Sequence, residues 1–306
     1  MNLIFFGADQ YSAAALKTIL SEDSLQIQVV TDKHEGGSPV EKLAREHNLN
    51  VSYYPTLPEE NTKFIGTLVQ WFNSSIPFGL CASFDHLIPK NVISQFDGNL
   101  YNLHPSILPQ YRNVSPVQYA IALGDKVTGI TLFRISPGID DGEIIAQASE
   151  PILESDTTAT LTPRLFTKGA QLFLDALIND FSLQSTTYDP QLTPLIFTKR
   201  LKKDSGFIEW PVLEKLLAGK KIESSETKNE LLSLRLRLSP TTHNLSPISD
   251  LLRALTPWPG IWSLVPTKKG ELRISLDSLT PNIMIKLAGK PKAINLADFI
   301  KYYISN

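Results

Sequence analysis

Leu3-Ile4-Phe5-Phe6-Gly7 is an apolar run of four that stops at a glycine, the pattern of a short strand entering a turn. Ser12 to Leu20 follows with helical spacing at Ala15, Leu16, Ile19 and Leu20. The same alternation continues outward. Ile27 to Val30 reads as a second strand. Asp32 to Gly37 is a polar loop, and Pro39 stands where a helix can begin, before Val40 to His47. Residues 62–72 predict an amphipathic helix, Ile76 to Ala82 a further strand, and Asn99 to Leu103 the next one. Strands alternating with helices predict a doubly wound α/β domain with a parallel sheet. Such sheets bind ligands outside the carboxyl ends of their strands.

Beyond residue 126, Thr128 to Ile135 and Glu143 to Ala148 predict two extended segments joined by the turn Ser136 to Gly142. Residues 158–178 predict a closing helix, with Pro163 limiting where it starts. We expect residues 1–181 to form a catalytic domain and residues 182–205, with Pro190, Pro194 and Lys199-Arg200-Leu201-Lys202-Lys203, a basic linker. Residues 206–306 are expected to form a small β-rich domain, with short strands at Ser263 to Val265, Glu271 to Leu276 and Asn282 to Leu287. Leu231 to Leu238 alternates and fits either a half-buried strand or a helix.

The hydrophobic fraction of 42% and charged fraction of 20% exclude a disordered chain. No apolar run approaches the roughly 20 residues of a membrane span. Cys81 is the single cysteine, so no internal disulfide forms, and a reducing cytoplasm is expected. Cys81 lies in an apolar run and reads as a buried structural thiol. Charge divides unevenly along the chain. Residues 1–197 hold 11 Lys and Arg against 21 Asp and Glu, a net of −10, and residues 198–306 hold 18 against 10, a net of +8. A basic domain suits a polyanion; a solvated lysine-rich surface is the plainer reading.

Chemistry concentrates between Asn102 and Gly142. Asn102 and His104 are two apart on a strand, so they face the same way. An amide N–H and a protonated imidazole are suitable donors to an oxyanion. Asp140, in Gly138-Ile139-Asp140-Asp141-Gly142, would raise the imidazole pKa and fix its orientation on reaching His104. No Gly-x-Ser-x-Gly elbow is present, so the substrate itself should attack, as in direct acyl transfer to an amine or hydroxyl. A strand-end histidine can equally be structural, and Asp140 and Asp141 ordinary turn residues.

Asn102 to Pro109 followed by Gln110-Tyr111-Arg112-Asn113-Val114-Ser115-Pro116 resembles the Asn-x-His-x-Ser-x-Leu-Pro and x-Tyr-Arg-x-x-x-Pro motifs of the folate-dependent formyltransferases. Gly138 to Gly142 resembles that family's Gly-Leu-Asp-x-Gly, and Thr128-Gly129-Ile130-Thr131 its Thr-Gly-Val-Thr. Ser38 to Ala44, Thr198 to Leu201 with Ile208-Glu209-Trp210, Arg253 to Gly260, Gly289-Lys290 and Asp298-Phe299 extend the similarity over most of the chain. It is nearest to the members that act on methionyl-tRNA. The resemblance implies a Rossmann-like domain followed by a small OB-like barrel. The implied co-substrate is 10-formyltetrahydrofolate, and the implied acceptor is the α-amine of methionine on initiator tRNA. Asn102, His104 and Asp140 are the implied catalytic residues. Phe84, Leu87, Ile88, Pro89, Ser106, Leu108 and Pro109 would bind the folate, with the turn Ser136 to Asp140 opposite. Lys199, Arg200, Lys202, Lys203 and Arg253 would grip tRNA phosphates. No metal and no membrane is implied, and a monomer is expected.

Three positions depart from the family pattern. Asn113 stands where Gly is usual after the motif's Arg, and Asn tolerates positive φ better than most residues. Asp85 lies in a segment that usually carries Gly. The loop after the second strand, Asp32-Lys33-His34-Glu35-Gly36-Gly37, is short and not basic, whereas the bacterial tRNA enzymes have a long basic one. An acceptor that is an amino sugar on a nucleotide fits the short loop; the basic C-terminal half favours tRNA. A non-catalytic folate or tRNA binder fits less well, because the Asn102, His104 and Asp140 set is intact.

Overall fold

A computed structural model describes residues 1–55, 58–71, 76–181, 195–238, 246–268 and 270–304. Residues 182–194 of the expected linker, with Pro190 and Pro194, lie outside the described residues. The chain forms two compact units. The first comprises Met1–Asn113, Val127–Pro151 and Thr160–Thr198; the second comprises Val114–Lys126, Ile152–Ala159 and Lys199–Asn306.

The first unit is built on β1 (Asn2–Phe6), β2 (Gln26–Thr31), β3 (Asn50–Tyr53), β4 (Phe78–Ala82), β5 (Leu100–His104), β6 (Val127–Arg134) and β7 (Ile144–Pro151). Among the described residues they form one sheet in the order β3-β2-β1-β4-β5-β6-β7. The first five strands are parallel, and β6 and β7 run antiparallel at one edge. The chain crosses between strands through α1 (Gln10–Ile19), α2 (Pro39–Glu46), α3 (Pro58–Trp71) and the short α4 (Lys90–Ile93). Leu3 to Phe6 are fully buried, as a central strand covered on both faces requires. Burial of each such side chain contributes roughly 1.5–3 kcal/mol.

The strand order reverses at β1, between β2 and β4, which opens a crevice at the strands' carboxyl ends. The Gly7 turn is tied across that crevice. Asp9 caps α1, accepting from the backbone N–H groups of Tyr11 and Ser12, and also accepts from the Ser83 hydroxyl at 2.6 Å. The Ser12 hydroxyl donates to the Ala82 carbonyl at 2.7 Å. A Cβ on Gly7 would lie 2.5 Å from Ser12 Cβ, so glycine permits this close approach. The loop after β2 is closed by a 2.9 Å hydrogen bond between Thr31 and Ser38 hydroxyls, and Ser38 caps α2. α6 (Thr158–Ile178) contains Pro163 inside the helix, so the proline does not set its start. Gly169 of α6 comes close to Ile130 and Leu103 of the sheet.

The second unit takes in α5 (Pro116–Leu123), which the sequence placed within residues 1–181. The difference has a packing cause. Val117 and Tyr119 to Leu123 are all buried, and α5 packs on α8 (Glu230–Leu238) and α9 (Ser246–Ala254). α7 (Trp210–Leu217) precedes them. The segment Leu231 to Leu238 is therefore a helix. Asn229 decides it: the side-chain oxygen accepts from the Leu232 N–H at 2.9 Å, an N-cap that a strand has no use for. A separate antiparallel sheet runs in chain order through β8 (Trp262–Thr267), β9 (Gly270–Ser278), β10 (Met284–Leu287) and β11 (Ala293–Asn295), before α10 (Leu296–Phe299). No described helix is long and apolar enough to cross a membrane.

Candidate active site

A cleft of about 150 Å³ opens in the first unit, beside the carboxyl ends of β4 and β5. Its apolar walls include Phe84, Leu87, Ile88, Phe133, Ile135 and Ile139, and Asn102 and Asp140 supply polar groups. Leu87 is 77% exposed, so one wall extends out toward solvent. Cys81 is buried beneath the cleft, and burial pushes its thiol up, consistent with a structural role.

His104 is buried, 5% exposed, at the end of β5. Its Nε2 lies 2.9 Å from the Tyr111 carbonyl oxygen. A carbonyl only accepts, so Nε2 carries the hydrogen. Nδ1 then faces Asp140 Oδ2 at 3.6 Å. The same carboxylate oxygen accepts the Asn113 backbone N–H at 2.7 Å. Asn102 and His104 thus share a face, but Asn102 lines the cleft whereas His104 sits behind Asp140, its Nε2 committed to Tyr111.

The surroundings of His104 act on its protonation in opposite directions. Burial holds the imidazole below its ordinary value. Asp140 and the Tyr111 carbonyl pull it upward and the Arg112 guanidinium presses it further down. Desolvation is the largest of these, so the imidazole pKa lies below its ordinary value. The sign for stability follows. Below the ordinary value of about 6.5 the unfolded chain takes up a proton that the native ring refuses. The contribution is full above about 6.5 and is lost as pH falls toward the lowered native value. The wild-type protein is therefore expected to lose more stability between about pH 7.5 and 5.5 than His104→Asn, measured by urea unfolding at both pH values. Equal losses would show that His104 is not the titrating group.

Two turns hold this arrangement. Tyr111, Asn113 and Asp140 have φ of 57°, 80° and 46°. Asn113 thus occupies the left-handed region that the family's glycine would occupy, and its Nδ2 donates to the Thr198 carbonyl at 3.1 Å. Arg112 donates through Nε to the Ile139 carbonyl at 3.1 Å and lies over the Phe197 ring at 5.1 Å. The motif Thr128 to Thr131 also gains a reason. Thr131 Oγ1 donates to the Ser106 carbonyl at 2.7 Å and accepts from the Leu108 N–H at 3.1 Å. A Cβ on Gly129 would lie 2.1 Å from Ile107 Cδ1.

Several expected binding residues sit elsewhere. Phe84, Leu87 and Ile88 line the cleft. Pro89 does not; it caps α4. Ser106 and Leu108 are buried in the turn after β5, with the Ser106 hydroxyl donating to the Gln110 carbonyl at 2.6 Å and Pro109 following Leu108. These three shape the loop that presents His104, and they are not among the lining residues. Arg253, expected on tRNA phosphates, has partners within the protein. It donates to the carbonyls of Leu153 and Asp156 at 3.1 and 2.8 Å and pairs with Asp250 at 2.8 Å, so its guanidinium is spent within the second unit. Lys199, Arg200, Lys202 and Lys203 are exposed, with Lys199 paired to Glu230 at 3.2 Å. Sequence reasoning missed Arg112 as a clamp, although it stands in the Tyr-Arg motif, and His86 as a lining residue.

A buried imidazole, a carboxylate and an amide lie beside a crevice at the carboxyl ends of parallel strands, and groups of these kinds can support acyl transfer without a protein nucleophile. Residues 1–177 match the formyl transferase family, and the chain belongs to it. Methionyl-tRNA formyltransferase of Streptococcus pyogenes serotype M3 is 29% identical over 326 aligned positions, spanning 98% of this chain and 95% of that protein. Methionyl-tRNA formyltransferase of Corynebacterium diphtheriae is 28% identical over 284 residues, 89% of this chain and 80% of its own length. An N-formyltransferase from Helicobacter canadensis, solved with folinic acid and dTDP-3-aminofucose, shares the fold with a TM-score of 0.55 at 18% identity, covering 93% of this chain and 95% of that one.

Proposed function

We propose that this protein transfers the formyl group of 10-formyltetrahydrofolate to the α-amine of methionine on initiator tRNA. The observation that carries the chemistry is the placement of Asn102 and Asp140 on one cleft, with His104 behind the carboxylate. The cleft is smaller than the roughly 300–1,000 Å³ of a whole drug-sized ligand site. It suits the flat ring end of the donor, with the tail leaving past exposed Leu87. The Asn102 amide donates to the formyl oxygen as negative charge develops there. The attacking amine must lose a proton. Asp140 accepts it at the cleft, and His104 Nδ1 can share it, because the imidazolium would then be held by Asp140 on one side and the Tyr111 carbonyl on the other. No group of three or more His, Cys, Asp and Glu with metal-holding geometry occurs among the described residues.

The acceptor is argued from the whole-length similarity to methionyl-tRNA formyltransferases and from the exposed cations at residues 199–203. Replacing Lys202 and Lys203 together by Ala is expected to weaken tRNA binding about equally for all tRNA sequences and to reduce the slope of log K against log salt by about 2. An unchanged slope would remove this segment from the tRNA contact. One observation favours an amino-sugar nucleotide instead: the loop Asp32 to Gly37 is short and sets Lys33 against Asp32 and Glu35, so it offers little to hold a polyanion. A sugar nucleotide would give a shallow salt dependence.

A further inference from the structure

We infer that His86 is a donor-positioning residue: Asp32 fixes its ring so that the imidazole offers a hydrogen-bond acceptor, at the rim of the cleft, to an N–H of the reduced pteridine. The inference rests on the folate reading above. His86 lines the cleft and follows β4. Asp32 is the first residue after β2, and its Oδ1 lies 2.7 Å from His86 Nε2. The carboxylate accepts, so Nε2 holds the hydrogen, which in the neutral ring leaves the lone pair on Nδ1.

The ring plane is fixed independently. His86 packs against Tyr54 and Phe84, with centroids 4.9 and 4.8 Å away, and those two rings meet edge-on at 5.2 Å. Asp32 is itself placed by the short loop, which the Thr31 and Ser38 hydroxyls close. An imidazole held by a carboxylate at one nitrogen and by two aromatic rings beside it has little freedom to turn. Most other lining side chains between the rim and Asn102 are apolar. A flat heterocycle with N–H groups along one edge, between apolar faces, meets that demand. The short loop after β2 would therefore serve the donor pocket through Asp32, which does not itself line the cleft.

The test compares the full-length wild type with His86→Leu, Asp32→Asn, the double variant and His86→Asn, which keeps an acceptor oxygen. The probe is 5-formyltetrahydrofolate, with Kd read by titration calorimetry, alongside donor KM and kcat. Loss of one hydrogen bond predicts a Kd about tenfold weaker for each single variant. The double variant should be no weaker than His86→Leu, because Asp32 acts through the ring. His86→Asn should recover part of the loss, and donor KM should rise more than kcat falls. Additive effects in the double variant, or Kd losses that track falling melting temperatures, would mean a merely structural clip and overturn the inference. If wild type binds the folate and the variants bind it equally, only this inference fails. If wild type binds no folate, the donor reading fails and takes the inference with it.

Discussion

His104→Ala is expected to lower kcat/KM for formyl transfer by about 10³-fold while leaving the Kd for 5-formyltetrahydrofolate within about threefold. The two effects separate because of where the ring sits. His104 is buried behind Asp140 and does not line the cleft, so its removal leaves the apolar walls intact. What disappears is the Nδ1 facing the carboxylate at 3.6 Å. The proton released by the amine would then rest on Asp140 alone, whose oxygen is already committed to the Asn113 N–H. Near-normal turnover would show that the histidine is a packing residue at the end of β5. Measuring both constants on one preparation excludes a folding artefact, since a collapsed site would lose folate as well.

Asp140→Asn is the second large effect, about 10²–10³-fold in kcat. The carboxamide can still accept the Asn113 N–H, so the turn should persist. It cannot take a proton, and its NH₂ group would be available to occupy the His104 Nδ1 lone pair as a donor. The imidazole would lose the charge that stabilises its cation. A variant with unchanged kcat and raised donor KM would instead make Asp140 a binding residue only. Asp141 gives the internal comparison. It pairs with Ser136 and lies 3.8 Å from Arg112, away from the imidazole, so Asp141→Asn should leave kcat within a few-fold.

Much of this was legible in the chain. Apolar runs ending at Gly or polar loops marked β1, β2, β4 and β5, because a strand buried on both faces leaves little choice of residue, whereas the partly exposed edge strand β3 carries no such run and was missed. The two-residue spacing of Asn102 and His104 and the Gly138 to Gly142 turn pointed to residues that the fold brings near one another, with Asn102 and Asp140 on the cleft and His104 Nδ1 3.6 Å from Asp140. Their protonation was not legible. Burial pulls the imidazole pKa down against the Asp140 charge that sequence alone suggested. Arg253 reads as one more cation in a basic half; only the fold brings the Leu153 and Asp156 carbonyls to it. Helix α5 reads as part of the first domain because it is contiguous with it, yet its all-round apolar surface finds cover on α8 and α9. The strand-or-helix ambiguity at Leu231 to Leu238 turned on the Asn229 cap, a local signal that the alternating leucines hid.

The most direct measurement is transfer of a labelled formyl group from 10-formyltetrahydrofolate, offered to methionyl-initiator tRNA and to an amino-sugar nucleotide in parallel, with His104→Ala as control. Label appearing on the methionyl α-amine, and vanishing in the variant, is the expected result. Label on the sugar amine and none on tRNA would overturn the proposed acceptor, leaving the formyl chemistry in place and making the short loop at Asp32 to Gly37 the feature that signalled it.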